Sequence, residues 1–156
     1  MGTRGWAFAV VMVAGCTEGS EEIESYVFGP LEVDAHDQIN VYRGEQGLPS
    51  LELDPVIGES ARGHSEDMLA DAVAFGHDGF DQRVEWIGER VAYVSAGENV
   101  AWNQGYDDPV GVAVQGWIDS PPHHENMVGD YDLTGIGVAE GSDGRIYFTQ
   151  IFVLTP

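Results

Sequence analysis

Three residues far apart in the chain have the types that do chemistry near neutral pH: His77, Glu98 and His123. An imidazole titrates near 7, can pass a proton, and can bind zinc through a neutral nitrogen. A glutamate held beside it can orient the ring, accept its proton or complete a metal shell. Each of the three lies in a polar stretch: Phe75-Gly76-His77, Gly97-Glu98-Asn99, and Ser120-Pro121-Pro122-His123-His124. Gly97 suits a tight entry into a strand, and Asn99 can tie its side chain to nearby backbone, so Glu98 is expected to be fixed in place. No short-range rule of the His-Glu-x-x-His kind links the three, so the expectation is that the fold brings them into one cleft. His123 and His124 point about 100° apart on a helical turn. His123 is the inward candidate, with His124 and Glu125 outward and Asn126 bonded to backbone.

Other chemistries fit less well. Ser120 precedes His123 by three residues, but no Gly-x-Ser-x-Gly elbow surrounds it, and a serine before proline also ends helices. Cys16 is the only cysteine and lies in a leader-like segment, which removes both a cysteine nucleophile and an internal disulfide. His64 falls on an apolar helical stripe, where a histidine bonded to backbone is the plainer reading.

The elements that must position these groups can be traced in order. Arg4 and the apolar run from Trp6 to Gly15 lead into Val13-Ala14-Gly15-Cys16, which resembles a bacterial lipobox. The run is too short to span a bilayer and suits a signal peptide over residues 1–16. Lipid modification of Cys16 would anchor the protein outside the cytoplasm. Thr17, rather than Asp, after the cysteine fits an outer membrane where one exists. Residues 17–30 carry four glutamates with Gly and Ser and read as an acidic tether, with nothing packed before Leu31. A first helix is expected over Asp34 to Glu45, capped by Asp34 and ended by Gly47. Asp54-Pro55 starts a second, on which Ile57, Ala61, His64, Met68 and Ala72 form a stripe ending near Phe75. Asp81 and Arg83 open a short turn carrying Val84 and Ile87. Val100 and Trp102 belong to a short buried strand after Glu98. Asp108-Pro109 opens a helix with Val110, Ala113, Val114, Trp117 and Ile118 on one face, stopped by Pro121-Pro122. A hairpin closes the chain, with Thr134 to Glu140 and Arg145 to Val153 around Ser142-Asp143-Gly144.

Composition sets outer limits. The 156 residues include 27 acidic and 6 basic ones, a net charge of −21, and all six basic residues are arginine. Such a surface excludes nucleic acid and electrostatic adhesion to anionic lipid. It favours solubility and loose attraction of divalent cations. At 43% hydrophobic, the chain is long enough for one domain with a real core.

Taken together and in order, the motifs resemble a known family. Ile39-Asn40-Val41-Tyr42-Arg43 with Gly47-Leu48-Pro49, then Ala61-x-x-His64-Ser65-x-Asp67-Met68, look like the opening of the bacterial CAP (SCP-like) domain. Phe75-x-His77 with Arg83 and Gly97-Glu98-Asn99-Val100 continue it. Trp117-x-x-Ser120-Pro121-x-His123-x-x-Asn126 and Tyr147-x-Thr149-Gln150-x-Phe152 complete it. The family includes cysteine-rich secretory proteins, antigen 5 and plant pathogenesis-related proteins. The resemblance covers residues 31–156 and implies an α+β fold, an α-β-α sandwich with a small antiparallel sheet between helical layers. It implies a ligand cleft at His77, Glu98 and His123, with zinc or another divalent metal on His77 and His123. In this sequence Pro122 and His124 replace the usual glycine and arginine. Tyr147 stands where animal and plant relatives place their second cleft histidine, so His123 takes that part. The expected function is a lipid-anchored binding or scaffold module for a small ligand, lipid, envelope component or metal. The alternative is a metal-assisted hydrolase, a peptidase or esterase, with Glu98 as general base and His123 beside it.

Overall fold

The computed structural model describes residues 26–156. The leader, its Cys16 and most of the acidic tether lie outside the described residues. Nine elements follow in order: α1 (Pro30–Glu45), β1 (Glu52–Leu53), α2 (Pro55–Leu69), α3 (Phe80–Gly88), β2 (Ser95–Gln104), α4 (Pro109–Asp119), α5 (Pro121–Met127), β3 (Leu133–Glu140) and β4 (Arg145–Leu154).

The sheet runs β1-β3-β4-β2. β3 and β4 form the terminal hairpin, whose turn places Gly144 at φ 85°, a conformation glycine adopts without strain. β2 pairs antiparallel with β4 over its whole length, and the two-residue β1 adds parallel to β3. β2 is therefore an edge strand. Helices cover both faces, as the α-β-α expectation requires. Ala35, Ile39, Val110, Val114, Trp117 and Met127, from α1, α4 and α5, pack with Ile136, Phe148 and Phe152 on one face. Ile57, Ala61 and Ile87, from α2 and α3, pack with Ile151 and Val153 on the other. Gly135 and Gly137 let α2 lie directly on β3, because a Cβ at either would strike the α2 backbone.

Several expectations need correction. α1 begins at Pro30, not Asp34: proline fits the first helical turn, and the Glu32 carboxylate takes the Gly29 N–H at 2.7 Å. The segment before Leu31 is packed, not free, with Tyr26 and Phe28 in edge contact and both close against Gly58 of α2. α2 starts where Asp54-Pro55 places it, with the Asp54 carboxylate accepting from Val56 and Ile57 N–H. It stops at Leu69, so Ala72 is exposed and off the stripe. Glu98 lies inside β2 rather than before it, and Trp102 stands in water. Pro121-Pro122 ends α4 and also starts α5, again in the first-turn position that proline suits.

Candidate functional site

Glu98, Val100 and Trp102 share the β2 face that looks toward α2 and α3, since side chains alternate along a strand. Asn99, Ala101 and Asn103 look toward the other helical layer. The loop after α2 brings His77 over the first face. α5 brings His123 along the second. The two rings meet around the free edge of β2, with centroids 6.3 Å apart.

Each ring has its own support. His77 Nδ1 lies 3.0 Å from Glu98 Oε1. A carboxylate oxygen paired with arginine is an acceptor, so Nδ1 is the donor, and in the neutral ring Nε2 is the nitrogen with the free lone pair. His77 leaves half its side chain in water, whereas Glu98 exposes only 1% of its own. Arg83 of α3 clamps the glutamate, Nε to Oε2 at 2.9 Å and Nη2 to Oε1 at 2.8 Å. His123 is set through its backbone: Asn99 Nδ2 donates to His123 O at 3.1 Å, and Asn126 Nδ2 donates to Asn99 Oδ1 and to Glu98 O. Burial, and then the neighbouring His77, hold the His123 imidazole below its usual pKa, which favours the neutral ring. Gly97 allows this approach: a Cβ there would press on Asn126 Oδ1 and the Tyr131 hydroxyl at 2.8 Å. Its role is close contact within β2 rather than a turn into it.

Other polar residues sort themselves out. His64 is buried and bonds Gly76 O through Nε2 at 2.8 Å, a core histidine that holds the loop leading to His77. His124 does not face open water as expected; its Nε2 meets the Tyr42 hydroxyl of α1 at 2.8 Å. Among the described hydrogen bonds none joins the Ser120 hydroxyl to His123, and Ser120 contributes its carbonyl to the His124 N–H.

The donor set decides what the cleft can hold. An imidazole centre sits about 3 Å from a zinc ion it ligates, so two rings on one tetrahedral ion lie about 5 Å apart. The observed 6.3 Å is about an ångström wider, so the two rings would close on each other to share an ion. Glu98 fits the role of orienter, because its oxygens are taken by Arg83 and His77 and shut off from water. Among the described residues no group of three or more His, Cys, Asp and Glu is arranged to hold a metal. The same engagement leaves Glu98 poorly placed as a general base toward water.

The sequence reading overlooked Arg83 as the partner of Glu98, although Arg83 stands among the family-like motif residues. It also overlooked the aromatic cluster of Phe75, Trp102 and Tyr147. The two-residue spacing of Glu98, Val100 and Trp102 was the available signal for the latter. Tyr147 does not enter the imidazole pair: it stacks on Trp102 at 6.0 Å and meets Phe75 at 6.4 Å.

Comparisons with known proteins agree with the fold. The family model described as CAP, the cysteine-rich secretory protein family, matches residues 36–152. The chain is 37% identical over 122 residues to the Bacillus subtilis membrane protein YlbC, covering 75% of this chain and 32% of that protein. It is 30% identical over 145 residues to Bacillus subtilis YkwD, covering 86% and 53% respectively. The chain thus spans from about a third to about half the length of these curated relatives. Among solved structures, an extracellular protein containing an SCP domain from Bacillus anthracis aligns with a TM-score of 0.63 and 29% identity. That alignment covers 80% of this chain and 40% of the other.

Proposed function

Because the chain belongs to the cysteine-rich secretory protein (CAP) family, we propose that it works outside the cytoplasm as a binding module whose cleft takes a divalent cation on His77 and His123. The observation that carries this reading is that the two rings meet at one strand edge with centres 6.3 Å apart, the His77 ring oriented by Glu98 and the His123 backbone held by Asn99, itself bonded to Asn126. His77 would offer Nε2, exchangeable water would fill the remaining positions, and Glu98 would fix the tautomer without touching the ion. The net charge of −21 raises the local concentration of cations and supports the same reading. Two protein ligands imply weak, reversible binding, suited to recruiting a ligand rather than to a permanent structural metal. The hydrolytic alternative with Glu98 as general base is disfavoured, because Arg83 and His77 occupy its oxygens.

Calorimetry with zinc on the folded domain tests the site. One equivalent should bind the wild type, and binding should vanish in His77→Ala/His123→Ala. Equal binding by both proteins removes the site.

Location is the second part of the proposal. The Bacillus anthracis relative is described as extracellular and YlbC as a membrane protein, which supports export of this chain. The lipobox-like Val13-Ala14-Gly15-Cys16 supports a lipid anchor at Cys16. Expression of Cys16→Ala should release the protein from the membrane fraction; retention there would contradict the anchor.

A further inference from the structure

A groove of about 390 Å³ runs along the free edge of β2 where that strand meets α4. Phe75, Trp102, Asn103, Val112, Trp117 and His123 are among the residues that line it. Its volume falls within the range of small-ligand clefts, about 300–1,000 Å³. Trp102 and Phe75 leave 48% and 50% of their surface in water. Large aromatic rings exposed side by side are the kind of patch that marks a binding surface. Neither ring is free to turn away. Strand pairing sets Trp102 opposite Tyr147, the two rings stack at 22°, and buried Tyr147 also braces Phe75. The result is an exposed Trp102 face backed by Tyr147, with Phe75 tilted at 54° beside Tyr147.

Polar groups stand at its margin. Asn103 is 7% exposed; its Nδ2 donates to Pro109 O at 2.8 Å, but its Oδ1 is buried with no partner among the described residues. A buried acceptor of this kind is completed by a donor from a ligand or a water. The β2 carbonyls that point out of the sheet edge are taken in turn, Glu98 O by Asn126 and Val100 O by Trp117 Nε1. The strand alternation makes the main chain of Trp102 the next outward position, at the groove itself.

Charge narrows the ligand. The Arg145 guanidinium lies 5.9 Å from the centre of the Tyr147 ring and is paired with Asp143 and Asp71, so the groove end of the platform carries little net charge. The net charge of −21 repels anions. An exposed ring beside an unmet acceptor suits a neutral molecule with a flat C–H face and hydroxyl donors around its rim.

We propose that this groove binds a neutral β-1,4-linked hexopyranose glycan, with one sugar ring stacked on Trp102 and a hydroxyl donor seated at Asn103. Equatorial substituents leave both faces of such a ring lined with C–H, which is what an aromatic platform accepts. The proposal rests on the ligand-binding reading above, since His123 borders both sites, but it needs no metal.

Calorimetric titration of the full chain with cellotetraose and with chitotetraose is the test, beside a separate zinc titration of the same preparation. Saturable binding of at least one glycan is expected. Trp102→Ala should weaken it at least tenfold and Phe75→Ala several-fold, while Tyr93→Ala, an exposed ring outside the groove, should leave it unchanged. Circular dichroism and the melting temperature check that each variant is folded. Trp102→Phe, which keeps a flat ring, should retain part of the affinity if Trp102→Ala proves unstable. No binding of either glycan, equal affinity in the wild type and Trp102→Ala, or saturation by tetramethylammonium in their place would overturn the proposal. Zinc binding without glycan binding would sink the glycan alone. Glycan binding without zinc binding would sink the cation and leave the groove standing.

Discussion

Glu32 and Glu98 are both buried glutamates gripped by a forked arginine, yet they end in opposite situations. Glu32 receives Arg62 through Nε and Nη2, the Tyr26 hydroxyl, and the N–H groups of Gly29 and Val138. Its outermost partner, Arg62, leaves 29% of its side chain in water, while the carboxylate itself is closed off at 2%. Arg62 lies over the Tyr26 ring at 4.2 Å, and burial, with Glu32 beside it, pushes the phenol pKa well above its usual value. Glu98 receives Arg83 in the same way, but its third partner is the half-exposed imidazole of His77. A carboxylate whose partners all belong to the framework fastens helices to strands. The same pair with a half-exposed imidazole as its third partner holds that ring ready for something outside.

That contrast can be broken by mutation. Glu32→Ala would leave Arg62 and two backbone donors without their buried acceptor, and should cost about 3–5 kcal/mol in urea unfolding. Glu98→Gln keeps the shape and one acceptor, and should cost less, about 1–3 kcal/mol. It should also weaken zinc binding about 10–100-fold, the usual effect of losing a carboxylate that orients a ligand histidine. Equal stability losses, with zinc affinity untouched at Glu98, would erase the distinction. Tyr26→Phe should lower stability by about 1 kcal/mol and leave the zinc titration as it was.

The smallest effects separate the two regions by pH. Burial lowers the pKa of His64, which holds the loop before His77. Its ordinary value is about 6.5. The unfolded chain therefore gains a proton first, and stability falls as pH drops from there through the lowered folded value. Tyr26 is shifted the other way. Stability on that side is complete below the ordinary phenol value of about 10 and falls as pH rises beyond it. Melting temperatures against pH should lose their acid limb in His64→Gln and their alkaline limb in Tyr26→Phe. Limbs that persist in those variants would assign the pH dependence elsewhere.

What could be read before folding was whatever the chain encodes locally. Asp54-Pro55 and Asp108-Pro109 cap their helices, the period of Val110 to Trp117 buries one face of α4, and Asp143-Gly144 turns the hairpin. What could not be read depends on partners far along the chain. Arg43 is fully buried, yet it bonds Pro49 O and three carbonyls between Met127 and Tyr131. Glu32 and the pair of His124 with Tyr42 are hidden in the same way. A charged residue reads as surface until its counterpart is known. The two-residue β1 is too short to carry any alternation. His77, Glu98 and His123 were marked by residue type and by likeness to a family. Their geometry depends on Arg83 and on the alternation of β2, and neither is visible in the three residues themselves.

The most direct test is side-chain NMR of the five histidines during a zinc titration at neutral pH. The resonances of His77 and His123 should shift together and reach an end point at one equivalent, while those of His36, His64 and His124 stay in place. Shifts spread over all five rings, or a response of His77 without His123, would contradict a cleft shared by the two imidazoles.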